Sequence, residues 1–149
     1  MGFRYVGRLY GGNPTIRTLK IKDGDEVSIG EMVAASTEGT ISVATSAKGY
    51  LDMWGVATAE VTESSASYVE VVTDPDAIYE IVDATLRYAG DTVDIDASGC
   101  TLITATASND GRLIVVKNSG SDYVTQVMIM NGYHVLTHAY AVTTGSRVA

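Results

Sequence analysis

Apolar and polar residues alternate along this chain in short runs separated by turn-forming clusters. Thr92–Asp96 reads Thr-Val-Asp-Ile-Asp, a period of two with one apolar face. Thr15–Lys22 sets Ile16, Leu19 and Ile21 against Arg17, Lys20 and Lys22, and Tyr68–Thr73 reads Tyr-Val-Glu-Val-Val-Thr. Arg112–Lys117 and Tyr123–Met130 flank the loop Asn118–Asp122 and form the strongest hairpin signal in the chain. Turn signals recur at strand-like spacing, among them Gly11-Gly12-Asn13-Pro14, Asp23-Gly24-Asp25, Asp74-Pro75-Asp76 and Asn131-Gly132. Between residues 27 and 57 the rhythm is entry turn, strand, hairpin, strand, with Gly30 at a sharp turn that requires positive φ. Ala77–Ala89 has helix-like spacing after a potential N-cap, Asp76. Its Ile78, Tyr79, Ile81, Val82 and Thr85 favour strand instead, and strand is the reading adopted. The pattern predicts an all-β fold.

Composition supports this reading. Val and Thr make up 35 of 149 residues, and nine of the eleven aromatics are Tyr, residue types that suit pleated, half-buried surfaces. A chain of this length builds one domain with a real core. With 46% hydrophobic and 19% charged residues it is not a disordered acidic tail. No apolar run reaches membrane-span length, and the opening ten residues lack the apolar stretch of a signal peptide, so neither is expected. The single cysteine, Cys100, excludes an internal disulfide framework and suits synthesis in a reducing cytoplasm.

Charge divides the chain. Residues 1–22 carry Arg4, Arg8, Arg17, Lys20 and Lys22 and no acid, a sum of +5, whereas residues 23–149 sum to −13. The expected organisation is an N-terminal arm over residues 1–14 and a single β domain over 15–149. The arm is basic and carries Phe3, Tyr5, Val6, Leu9 and Tyr10, apolar groups that gain from burial. Phe3, Arg4, Tyr5, Arg8, Leu9, Tyr10 and Arg17 are therefore the candidate contact residues, either on the chain's own body or on a neighbouring subunit. Nucleic acid is not an expected partner, because a body at −13 repels phosphates.

Catalytic and cofactor motifs are not evident. The sequence contains no nucleophile elbow, zincin, dinucleotide or Walker pattern. His134 and His138 share a face at a spacing of four but lack further ligands in sequence, and read as surface or interface histidines. Cys100, between Gly99 and Thr101, reads as a small buried residue. Lys48 lacks the context of a lipoyl or biotinyl lysine. Asp94 and Asp96 fall on one strand face and read as solvated, and the turn Asp23–Glu26 lacks the spacing of an EF-hand loop. The expectation is a non-enzymatic protein with no metal or organic cofactor.

Three stretches resemble the head decoration, or cement, proteins of tailed bacteriophages. They are Phe3-Arg-Tyr-Val6 with Pro14-Thr-Ile-Arg17 and Asp23-Gly-Asp…Gly30; Tyr68-Val-Glu-Val-Val-Thr-Asp-Pro-Asp-Ala-Ile-Tyr79; and Val127-Met-Ile-Met-Asn-Gly-Tyr-His134. Gly90-Asp-Thr-Val-Asp-Ile95 is similar to the family's middle segment, although Ala97-Ser-Gly-Cys100 departs from what usually follows. The resemblance implies a small β-barrel or β-tulip fold with an N-terminal arm that ties neighbours together. It also implies a homotrimer on the outer capsid surface, made in the host cytoplasm and bound to the major capsid protein. The alternative is another oligomeric β module of a virion, such as a tail or fibre component or a carbohydrate-binding surface domain.

Overall fold

Strand-forming runs become strands almost wherever the alternation predicts them. A computed structural model describes residues 2–45, 52–61, 67–96, 98, 100–104 and 111–137. The architecture is nearly all β. Its strands are β1 (Arg4–Arg8), β2 (Ile16–Lys20), β3 (Met32–Ala35), β4 (Ile41–Val43), β5 (Met53–Val56) and β6 (Tyr68–Val72). They continue with β7 (Ala77–Val82), β8 (Thr92–Ile95), β9 (Leu102–Thr104), β10 (Leu113–Lys117) and β11 (Val124–Ile129).

Six strands form one antiparallel sheet in the order β1-β7-β11-β10-β8-β9, so β1 and β9 are its edges. The predicted hairpin is β10–β11, with Leu113 opposite Ile129 and Val115 opposite Val127. One parity of each strand faces inward: Tyr79 and Ile81, Val127 and Ile129, Leu113 and Val115 are all buried. Each such aliphatic side chain contributes about 1.5–3 kcal/mol by leaving water.

The remaining strands form two small sheets, β2-β6 and β4-β3-β5. Single bridges connect them, Ala57 with Val71 and Ile21 with Ile41, so the pairing runs in a circuit through β2, β6, β5, β3 and β4. Ile21, Val33, Ile41, Ala57, Val69 and Val71 pack together inside that circuit. The opposite face of β3 and β5 contributes Met32, Ala34, Met53 and Val56 to the core of the large sheet. One layer thus serves two cores.

Several expectations change in the folded chain. Within the expected arm, β1 pairs with β7 of its own chain, Arg4 opposite Glu80 and Arg8 opposite Ala77. A bulge at Val6, between the pairs at Tyr5 and Gly7, interrupts the outer strand, a feature that discourages further strand pairing at an edge. The strand beginning at Ala77 ends at Val82, because the Asp83 carboxylate accepts both the Ala84 N–H and the Arg87 Nε–H and turns the chain. Tyr123 adopts φ of 60° and closes the turn from Gly120, so β11 starts one residue later than predicted. Asp94 is fully buried rather than solvated, paired with Arg112. Cys100 is half-buried rather than buried. Gly30 has the expected positive φ, 89°. Lys48 and His138 lie outside the described residues.

Candidate interaction site

The turn Asp74-Pro75-Asp76 between β6 and β7 organises the N-terminal segment. Proline fixes one φ and gives up its N–H, which suits a tight connection between antiparallel strands. The Ala77 N–H closes the turn on the Asp74 carbonyl at 3.1 Å. Both aspartates are buried, and their carboxylates face the chain as it leaves β1.

Arg8 spans the two acids. Its Nε donates to Asp76 Oδ1 at 2.8 Å, and Nη1 lies 3.5 Å from Asp74 Oδ1. Nη1 also donates to the Asn13 carbonyl at 3.3 Å. The remaining carboxylate oxygens accept backbone donors: Asp76 Oδ2 from the Tyr10 N–H at 3.2 Å and Asp74 Oδ2 from the Thr15 N–H at 2.7 Å. The Leu9 N–H bonds the Asp76 carbonyl at 2.9 Å, and the Thr73 N–H bonds the Thr15 carbonyl at 3.0 Å. Residues 9–14 thus form a loop clamped at both ends. The hydrogen bond to Asp76 raises the Arg8 pKa above its ordinary value; desolvation opposes this, and the charge of Asp74 adds to it. Burial, reinforced by the Asp74 charge, raises the Tyr5 phenol.

The expected contact residues fall into four groups. Phe3 is buried in the large core, with its N–H on the Gly30 carbonyl. Arg4 pairs with Glu80, and Tyr5 packs edge-on against Tyr79, with ring centroids 6.4 Å apart. Arg8 and Arg17 stand at the clamp, the latter donating from Nε to Thr73 Oγ1 at 3.0 Å. Leu9 and Tyr10, at 50% and 84% exposure, point away from both cores. Arg4 and Arg8 are thus paired with acids of the same chain, Arg17 bonds a threonine hydroxyl, and the loop presents an apolar pair. Asp74, Asp76, Thr15 and Thr73 were not among the predicted contact residues, although the sequence does mark Asp-Pro-Asp as a turn with two carboxylates.

The two clamp carboxylates are engaged by Arg8 and backbone amides, and together these contacts hold the loop. Among the described residues no three of His, Cys, Asp and Glu converge as a metal site requires, and no helix is long and apolar enough to cross a membrane. Comparison with known proteins finds no matching family model and no matching curated protein.

Arg8→Ala should lower stability and Tm, because it leaves the buried Asp74 and Asp76 carboxylates without their shared cation. Thermal unfolding followed by circular dichroism checks it, and loss of amide protection at Tyr10 and Thr15 should accompany the drop.

Proposed function

We propose that this chain is a structural, non-enzymatic virion protein that binds the outer surface of a phage capsid and cements neighbouring major capsid protein subunits, acting as a homotrimer. The observation that carries this reading is the clamped tip: Leu9 and Tyr10 stand in solvent on backbone already ordered by Asp74, Asp76 and Arg8. A loop held in advance loses little conformational entropy on docking, and tyrosine offers a large contact area with few rotors. An all-β frame with two cores supplies the rigid base, in keeping with the small barrel or tulip frame of the decoration proteins that the sequence resembles. On this reading the protein is made in the host cytoplasm and resides on the capsid exterior.

The structure changes which groups should carry affinity. Arg4 and Arg8 are engaged within the chain, so the apolar pair and not the arginines should dominate docking, and attachment should depend only weakly on salt. Deleting the whole segment is a poor test, because Phe3 belongs to the core. The test is the double variant Leu9→Ser/Tyr10→Ser, measured for co-sedimentation with capsids of the parent phage stripped of this protein. The expected result is unchanged Tm with binding weakened about 30-fold or more. Wild-type binding by the variant, or no binding by the wild type, overturns the reading. Sedimentation equilibrium of the free protein tests the trimer separately.

A further inference from the structure

His134 is fully buried and lies outside the interaction tip. It follows the turn Asn131-Gly132, where Gly132 has φ of 93°, and precedes a short helical turn over residues 135–137. The segment braces itself: the Gly132 N–H donates to Thr137 Oγ1, and the Tyr133 N–H donates to the Met130 carbonyl. It meets β5 through the Met53 N–H on the Tyr133 carbonyl at 2.8 Å and a bridge between Met53 and His134. The imidazole stands edge-on to Trp54, with ring centroids 6.2 Å apart.

The ring nitrogens have different surroundings. Nδ1 accepts the Leu136 N–H at 3.1 Å, so it carries no proton and the ring is the neutral Nε2–H tautomer. Nε2 has no hydrogen-bond partner among the described residues. The carbonyls of Trp54 and Thr73 lie close enough to favour a charged ring, but neither meets hydrogen-bond geometry with Nε2.

We propose that residues 131–137 form an acid-released latch on the edge of β5, closed by neutral His134 and opened by its protonation while the sheets stay folded. The added proton sits on Nδ1 and turns an acceptor into a donor facing another donor, the Leu136 N–H. The hydrogen bond that shapes the helical turn is lost, and a cation is left in a fully buried site. Arg17, on β2, opposes that cation, and Asp74, after β6, favours it. Desolvation by burial outweighs these influences and lowers the His134 pKa from 6.5 to about 4. The sign follows: the released turn binds the proton more readily than the latched one. The latch is therefore fully held above pH 6.5 and weakens as pH falls from 6.5 towards 4. The cumulative bias towards release reaches about 300-fold below both values.

Trp54 is the only tryptophan in the chain and reports this contact directly. The experiment follows Trp54 emission, His134 ring resonances and amide protection factors from pH 7.5 to 3.5 in the full chain. The expected result is a red shift of Trp54 and loss of protection at Met53 and Leu136 between pH 6 and 4, with β7 and β11 amides still protected. His134→Phe keeps a ring in the site and should abolish the step. A step that survives in His134→Phe overturns the proposal. So does simultaneous loss of protection in β7 and β11, or a wild-type ring that titrates at or above pH 6, a measurement that needs no variant to fold.

Discussion

Gly55→Ala should abolish folding or cost about 3–6 kcal/mol, from a forced backbone angle and a steric clash acting together. Gly55 has φ of 149°, a region that side-chain-bearing residues rarely adopt. A Cβ built there would lie 1.7 Å from the Val72 carbonyl oxygen and 2.8 Å from the Tyr79 hydroxyl oxygen. Neither neighbour can yield easily. Val72 ends β6, and its carbonyl also receives the buried Tyr79 O–H at 3.4 Å. The same region joins the cores, because Val72 packs under the large sheet while Val71 packs inside the small circuit. Against a typical total stability of about 5–15 kcal/mol, such a loss is a large fraction of the whole. Gly7→Ala is the matched control: nothing lies within 4 Å of its added methyl, and the change should stay within about 0.5 kcal/mol. Urea titrations of the two variants decide the matter, and similar midpoints would show that β5 and β6 do not cross this closely.

The sequence reveals elements better than it reveals partners, and the reason is range. Alternation and turn chemistry are local, so β8, β10, β11 and the turn at Gly30 are legible from their own residues. Charge asymmetry is also legible, but what satisfies it is not. The cations near the start of the chain pair with Glu80, Asp74 and Asp76, some 66 to 76 positions away, and only the β1–β7 pairing brings them together. That pairing makes residues 4–8 of the expected arm an edge strand, with a clamped loop beyond it. The same blindness to distance affects His134, whose spacing to His138 suggested a surface pair. Its burial is set by β5 and by the turn after β6, and no local pattern announces either.

Asp94 gives the clearest case of a local pattern with a non-local answer, and it leads to the second large prediction. Thr-Val-Asp-Ile puts Asp94 opposite the core-facing Val93 and Ile95, a position that reads as solvated. Instead Asp94 and Arg112 are both fully buried, with Arg112 Nε donating to Asp94 Oδ1 at 2.9 Å. Arg112 Nη2 donates further to the Thr45 carbonyl at 2.9 Å, so one guanidinium ties β8 to the chain leaving β4. Two charges removed from water hold each other at a large desolvation cost, and the penalty for breaking such a pair exceeds its net worth. Asp94→Ala and Arg112→Ala should therefore each lose about 3–5 kcal/mol, because each takes the opposite charge away from a group buried in the interior. The double variant Asp94→Leu/Arg112→Met removes both charges and fills the space with apolar atoms. It should recover most of that loss, so that the two changes are far from additive. Urea unfolding of all three variants measures the coupling directly. Additive losses would mean that the two side chains do not depend on each other, and that Asp94 is solvated as its strand pattern first suggests.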